Sequence, residues 1–238
     1  MIRYLDKITD EVKVTTALTY AVLPGYDAAH TETPLMLDVY EPAGDTEKKR
    51  HPILFVHGGG FVTGTRDKGY PPVICTLLAK RGYVCFSIDY RLYPSGKERG
   101  TYADASPIVA KDLDLARKWI LERAEQYGID PDKLAISGGS AGGMASIEAC
   151  KLHKYTAFAC LWGTHKGATL CEDFPPTILI HGTADQLVAY ENCENFHALL
   201  LDQNVPCQLL TLTDAPHTPM SRLSEFAEPM IKFLYNHI

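Results

Sequence analysis

No apolar run in this chain approaches the roughly 20 residues needed to cross a bilayer. The opening Met1-Ile2-Arg3-Tyr4-Leu5-Asp6-Lys7 mixes charges where a signal peptide would carry an apolar core. As given, the sequence predicts a cytoplasmic protein with no membrane partner. Excess positive charge is also missing: 23 Lys and Arg stand against 29 Asp and Glu, for a net charge of −6. The basic residues are dispersed, which argues against a nucleic-acid partner. Seven cysteines are scattered, odd in number and without a Cys-x-x-Cys pair, so neither a disulfide framework nor a zinc site is expected. Contexts such as Val84-Cys85-Phe86 suit small buried hydrophobes instead. There is no linker-like tract, internal repeat or low-complexity segment. The 238 residues, 46% hydrophobic and 22% charged, are enough for one large core, and a single domain over 1–238 is expected.

What is there is an alternation of short apolar runs and amphipathic stretches. Residues 12–22 and 35–40 read as an antiparallel opening pair, with Leu35, Leu37 and Val39 alternating against Met36 and Asp38. Strands are expected at 52–56, 83–88, 133–137, 156–161, 177–181 and 206–212. Helices are expected at about 70–81, 104–127, 141–153, 191–203 and 220–236, with a loop at 92–103. In the helix at 104–127, Ile108, Leu115 and Trp119 form one stripe, and Gly128 stops it. Strand–helix alternation of this kind predicts an α/β fold: a mostly parallel sheet with helices on both faces.

Two glycine-rich segments carry the chemistry. Gly138-Gly139-Ser140-Ala141-Gly142-Gly143 follows the strand at 133–137 and suits a nucleophile elbow, a strained strand-to-helix turn that exposes a hydroxyl. The competing reading is a phosphate-binding turn, but the segment matches neither Gly-x-Gly-x-x-Gly nor the Lys-Ser/Thr ending of a P-loop. Upstream, His57-Gly58-Gly59-Gly60-Phe61 closes an apolar run and offers unobstructed backbone N–H groups. The expected oxyanion donors are Gly59, Gly60 and Ala141, with His57 fixing the loop rather than acting as a base.

A serine needs a base to take its proton, and the base needs orienting. In such sheets the order is serine, acid, histidine, each after a strand. The run Ile178-Leu179-Ile180-His181-Gly182-Thr183-Ala184-Asp185 leaves a strand and ends on a carboxylate, making Asp185 the candidate acid. Asp173 precedes that strand, Asp202 lies in a helix and Asp214 follows the last strand. Among nine histidines, His30, His51 and His57 precede Ser140, His153 and His197 fall in helices, and His237 is penultimate. His181 reads as structural. His165 precedes the acid and is the next candidate base after His217, which follows the last strand in Asp214-Ala215-Pro216-His217. No His/Cys/Asp cluster has metal-ligand spacing, so neither metal nor cofactor is expected.

These segments, with Asp89-Tyr90-Arg91-Leu92, resemble the α/β-hydrolase superfamily, and within it the hormone-sensitive-lipase-like esterases and the small bacterial acetyl and xylan esterases. The resemblance runs from about residue 34 to the C-terminus. It implies a serine esterase with a Ser140–Asp185–His217 triad acting on a small-molecule ester. Pro216 and Thr218 replace the glycine and aromatic that commonly flank the histidine, and Tyr93-Pro94 replaces alanine-proline. The connection Gly163–Pro175 is too short for a helical cap, so the site should be open and short-chain acyl esters, acetylated carbohydrates among them, are the expected substrates. Phe61, Trp162 and Val188 flank the key segments and are expected to line the pocket. The alternatives are amide cleavage, as in prolyl-oligopeptidase-like or formamidase enzymes, and a non-catalytic receptor on the same fold. Nothing in the sequence excludes a homodimer.

Overall fold

Eight strands form one sheet in the order β1-β2-β4-β3-β5-β6-β7-β8 in the computed structural model, which describes residues 1–25, 32–94, 101–165 and 169–238. The strands are β1 (Val12–Pro24), β2 (Glu32–Pro42), β3 (Pro52–Val56), β4 (Val84–Ile88), β5 (Ala135–Gly139), β6 (Phe158–Leu161), β7 (Thr177–Gly182) and β8 (Cys207–Leu212). The pairs β1/β2 and β2/β4 are antiparallel, and every other pairing is parallel. The helices are α1 (Tyr70–Ala79), α2 (Tyr102–Glu122), α3 (Ala141–Leu152), α4 (Tyr190–Asp202) and α5 (Leu223–His237). His30 lies outside the described residues, as do 95–100 of the expected loop and 166–168 of the connection before β7.

The period-two geometry of a strand explains why the central runs are wholly apolar. In β3, Ile53 and Phe55 face one layer with α1 and α5, whereas Leu54 and Val56 face the other with α2, α3 and α4. Both layers exclude water, so neither strand face tolerates a polar residue without a partner. All seven cysteines are free thiols, and five of them are buried in these layers.

Helix α2 departs from expectation at three points. It starts at Tyr102, not 104, because Thr101 and Asp104 form a capping box that satisfies two otherwise orphaned N–H groups. It ends at Glu122; Gly128, at φ +55°, closes the turn that follows the helix rather than the helix itself. The stripe Ile108–Leu115–Trp119 is not the buried one. Ala105, Val109, Leu113, Ala116 and Ile120 face the core, and Ile108 is exposed. Ala105 and Ala116 keep this face low where α2 packs on α3, so packing outweighed side-chain size.

Candidate active site

Four strands deliver their C-terminal ends to one place. β5 ends at Gly139 and α3 begins at Ala141, leaving Ser140 alone to turn the chain, at φ 54° and ψ −123°. A non-glycine residue there stores about 1–3 kcal/mol of strain, which the surrounding contacts must hold. Ser140 donates its backbone N–H to Leu161 O at 2.8 Å, which ties the turn to β6. It is the N-cap of α3, yet its hydroxyl makes no capping bond. That leaves Oγ for another partner, 3.0 Å away: His217 Nε2.

His217 reaches it from the loop after β8, which is pinned to the turn after β7. Thr183 N–H donates to Leu212 O (3.1 Å), Ala184 N–H to Ala215 O (3.0 Å) and Asp214 N–H to Thr183 Oγ1 (2.8 Å). Gly182 permits that approach, since a Cβ there would fall 2.2 Å from Ala215 O. The same turn presents Asp185, whose Oδ2 lies 2.7 Å from His217 Nδ1. Asp185, and not Asp214, is therefore the carboxylate on His217. Its Oδ1 accepts from Leu187 N–H and Val188 N–H, both at 2.9 Å. Burial pushes the Asp185 carboxyl up, but the bonds from Val188, His217 and Leu187 outweigh burial and hold it below the usual carboxylate range. A carboxylate on Nδ1 puts the ring proton there and leaves Nε2 as the acceptor facing Ser140.

The glycine loop after β3 packs directly on this turn. A Cβ at Gly58 would come 3.1 Å from Ser140 Cβ and 2.9 Å from Gly139 O, so only glycine lets the two segments touch. Gly59 stands at φ +108°, and its carbonyl accepts from Val62 and Thr63 N–H. Behind the loop, Tyr90 donates its hydroxyl to His57 O (3.0 Å) and stacks on the His57 ring at 4.3 Å. The His57 Nδ1–H donates to Gly58 O at 2.6 Å, and burial pushes its pKa down, so the ring is neutral and braces the loop. Arg66 ties the base of this assembly together, donating to Asp38 at 2.8 Å and Asp89 at 2.6 Å. Of that network, only Asp89 belongs to a segment that stands out in the sequence.

Beside these groups lies a cavity of about 510 Å³. Its wall includes Met144 one turn along α3 from Ser140, Leu187 and Val188 just after Asp185, and the Glu148–Lys151 ion pair at 3.0 Å. Of the three expected pocket residues, only Val188 lines it. Phe61, in the loop after β3, and Trp162, directly after β6, are instead fully buried in the two core layers, at φ 64° and 40°. His165 borders the cavity, 3.9 Å from Glu148, whereas His217 stands on the Ser140 hydroxyl.

The BD-FAE family model matches residues 37–159, just over half of the chain. The chain belongs to the BD-FAE family. That span holds Gly59, Gly60 and Ser140 and stops before Asp185 and His217. A stretch of 108 residues in this BD-FAE chain is 33% identical to arylacetamide deacetylase of Bos taurus, covering 44% of the chain and 25% of the relative. Another of 102 residues is 35% identical to ethyl acetate hydrolase of Pseudomonas putida, covering 42% and 29%. The matched stretch is thus between a quarter and a third of these relatives' own length. In structure the chain is similar to Thermogutta terrifontis esterase 2 phosphorylated by paraoxon, at TM-score 0.67 and 23% identity, over 92% of this chain and 93% of that one. The architecture is the α/β-hydrolase fold. No helix among the described residues is long and apolar enough to cross a membrane.

Proposed function

We propose that this protein, acting as a single domain over 1–238, hydrolyses carboxylic esters through an acyl-serine intermediate on Ser140. The observation that carries this reading is the continuous relay from Ser140 Oγ to His217 Nε2 (3.0 Å) and from His217 Nδ1 to Asp185 Oδ2 (2.7 Å). His217 takes the Ser140 proton as the hydroxyl attacks the acyl carbon, then returns it to the leaving alkoxide. Water repeats the sequence to release the acid. Asp185 keeps the imidazole in the required tautomer and favours the imidazolium. The oxyanion meets the backbone N–H groups of Gly59, Gly60 and Ala141 and the positive end of the α3 dipole. Ester relatives such as ethyl acetate hydrolase support the reading by name.

The preferred substrates are short acyl esters, with acetylated carbohydrates the first class to test. Met144, Glu148 and Lys151 lie on successive turns of one α3 face, so the cavity changes from apolar to ionic about 6 Å beyond Met144. An acyl chain gains about 0.8 kcal/mol per buried methylene only while it stays on the apolar part. Activity on p-nitrophenyl esters should peak between acetyl and butyryl and fall by octanoyl. A fluorophosphonate probe should label Ser140 in the wild type and not in Ser140→Ala. Absence of labelling would favour a receptor on this fold, and faster turnover of peptide amides or formamides would favour amide cleavage.

A further inference from the structure

His181 is the penultimate residue of β7, fully buried, four residues before Asp185. Its Nε2 lies 2.8 Å from Val188 O and 3.0 Å from Asp185 Oδ2. Both neighbours can only accept, so the ring proton belongs on Nε2 and is shared between them. Nδ1 is left buried without a partner among the described residues. A side chain that merely filled this space would not carry an unpaired ring nitrogen; an apolar residue would fit without that cost.

The arrangement around Asp185 gives the ring a use. Leu187 and Val188 N–H anchor Oδ1, about which a carboxylate can still swing. His217 approaches the other oxygen from a separate loop, so its bond is only as well aimed as Oδ2 itself. The His181 ring is held in place, fully buried near the end of β7 between β6 and β8, with the Tyr190 ring edge-on at 6.0 Å. We propose that His181 is a positioning residue, which donates Nε2–H to Val188 O and Asp185 Oδ2 and thereby fixes the oxygen that orients His217. The proposal rests on the triad reading above. A second donor on Oδ2 also tempers the charge that His217 meets. Without it the imidazolium is held too firmly and returns its proton less readily. Among the described residues, the titratable groups facing the ring are Asp185 from the turn after β7, His217 from the loop after β8 and Tyr190 from α4.

The test combines the wild type with His181→Leu and His181→Gln, whose amide N–H can reach the position of Nε2–H. Nitrogen NMR of the wild type should find His181 protonated on Nε2; a proton on Nδ1 overturns the proposal without any variant. His181→Leu should lower kcat about 10- to 100-fold with KM within about 3-fold, and move the acid limb of kcat/KM to higher pH. His181→Gln should recover to within about 3-fold of wild type. A folded Leu variant with wild-type kcat and pH profile, or a folded Gln variant no better than Leu, overturns it. The low-field proton signal of the His217–Asp185 bond should shift in His181→Leu, and this does not require turnover. If the wild type hydrolyses no ester, the activity reading fails alone; if that signal is unchanged in His181→Leu, the positioning role fails.

Discussion

Two arginines, Arg50 buried and Arg66 half-buried, at opposite ends of the parallel strands, show how the fold divides stability from chemistry. Arg50 stands just before β3, donates to Glu41 at 2.8 Å and to Tyr127 O, and joins Asp45 and Arg3 in a cluster. Arg66 stands beyond the other end of β3 and joins Asp38 and Asp89. Both side chains are similarly enclosed, 7% and 13% exposed. The difference is what each network touches. The Arg50 cluster ties the end of β2 to the turns beside it. The Arg66 cluster lies under the His57–Gly60 loop, where Asp89 Oδ1 is 3.9 Å from His57 Nε2. The same physical device braces the scaffold at one end and the candidate oxyanion loop at the other.

The most direct way to break that division is to remove the groups at the C-terminal end. Ser140→Ala and His217→Ala should each lower kcat by roughly 10⁴–10⁶, and the double variant should be little worse, because the two act as one unit. Folding should be retained in both, since neither side chain holds core packing. A His217→Ala variant keeping a tenth of the activity would assign the base elsewhere, with His165 tested next. Asp185→Asn should cost on the order of 10²–10⁴ in kcat, since an amide no longer enforces the Nδ1–H tautomer. Steady-state kinetics on p-nitrophenyl acetate beside a thermal melt reads both effects.

The arginine pair sharpens the comparison at smaller scale. Arg66→Met and Arg50→Met each strand buried carboxylates, Asp38 in the first and Glu41 in the second, and should each destabilise by about 3–5 kcal/mol. Only Arg66→Met should also lower kcat, by roughly 10-fold, as the glycine loop loses its brace. Equal losses of kcat in both variants, measured well below their melting temperatures, would erase the distinction.

The segments that meet at the site were readable because each announces itself locally. Ser140 lies among glycines after an apolar strand, and Asp185 and His217 follow strands in the required order. The β-strands were equally plain, as five-residue apolar runs have few other uses in a chain without long ones. What escaped depended on three-dimensional neighbours. The buried face of α2 uses alanines, which hydrophobicity ranks below Ile108 and Trp119. Phe61 and Trp162 sit beside motif residues but turn into the core. The Arg66 network joins residues 38, 66 and 89 from three separate segments, and His181 read as structural because only the folded turn brings it to the Asp185 carboxylate.

The smallest effect returns to the N-terminal end of the strands, where pH should act on stability and not on chemistry. His51, next to Arg50, stacks on Tyr4 at 4.0 Å, and burial, reinforced by Lys133, pushes its pKa down to about 4. Its folded pKa is thus below the unfolded value of 6.5. The unfolded chain takes up the proton first, so this contribution is fully present above pH 6.5 and is lost as pH falls toward 4. Between pH 7 and 5 the loss should be about 1 kcal/mol after allowing for partial exposure, or roughly 2–4 °C in Tm. His51→Phe keeps the stack and removes the titration, so its Tm should fall less than the wild type's by that amount, with kcat unchanged at pH 7.5. Equal falls in the two proteins would assign the acid sensitivity to His57, His165, His181 and His237, whose pKa values are also lowered by burial. The separation of stability at one end from chemistry at the other would then fail, since His57, His165 and His181 all lie against the candidate site.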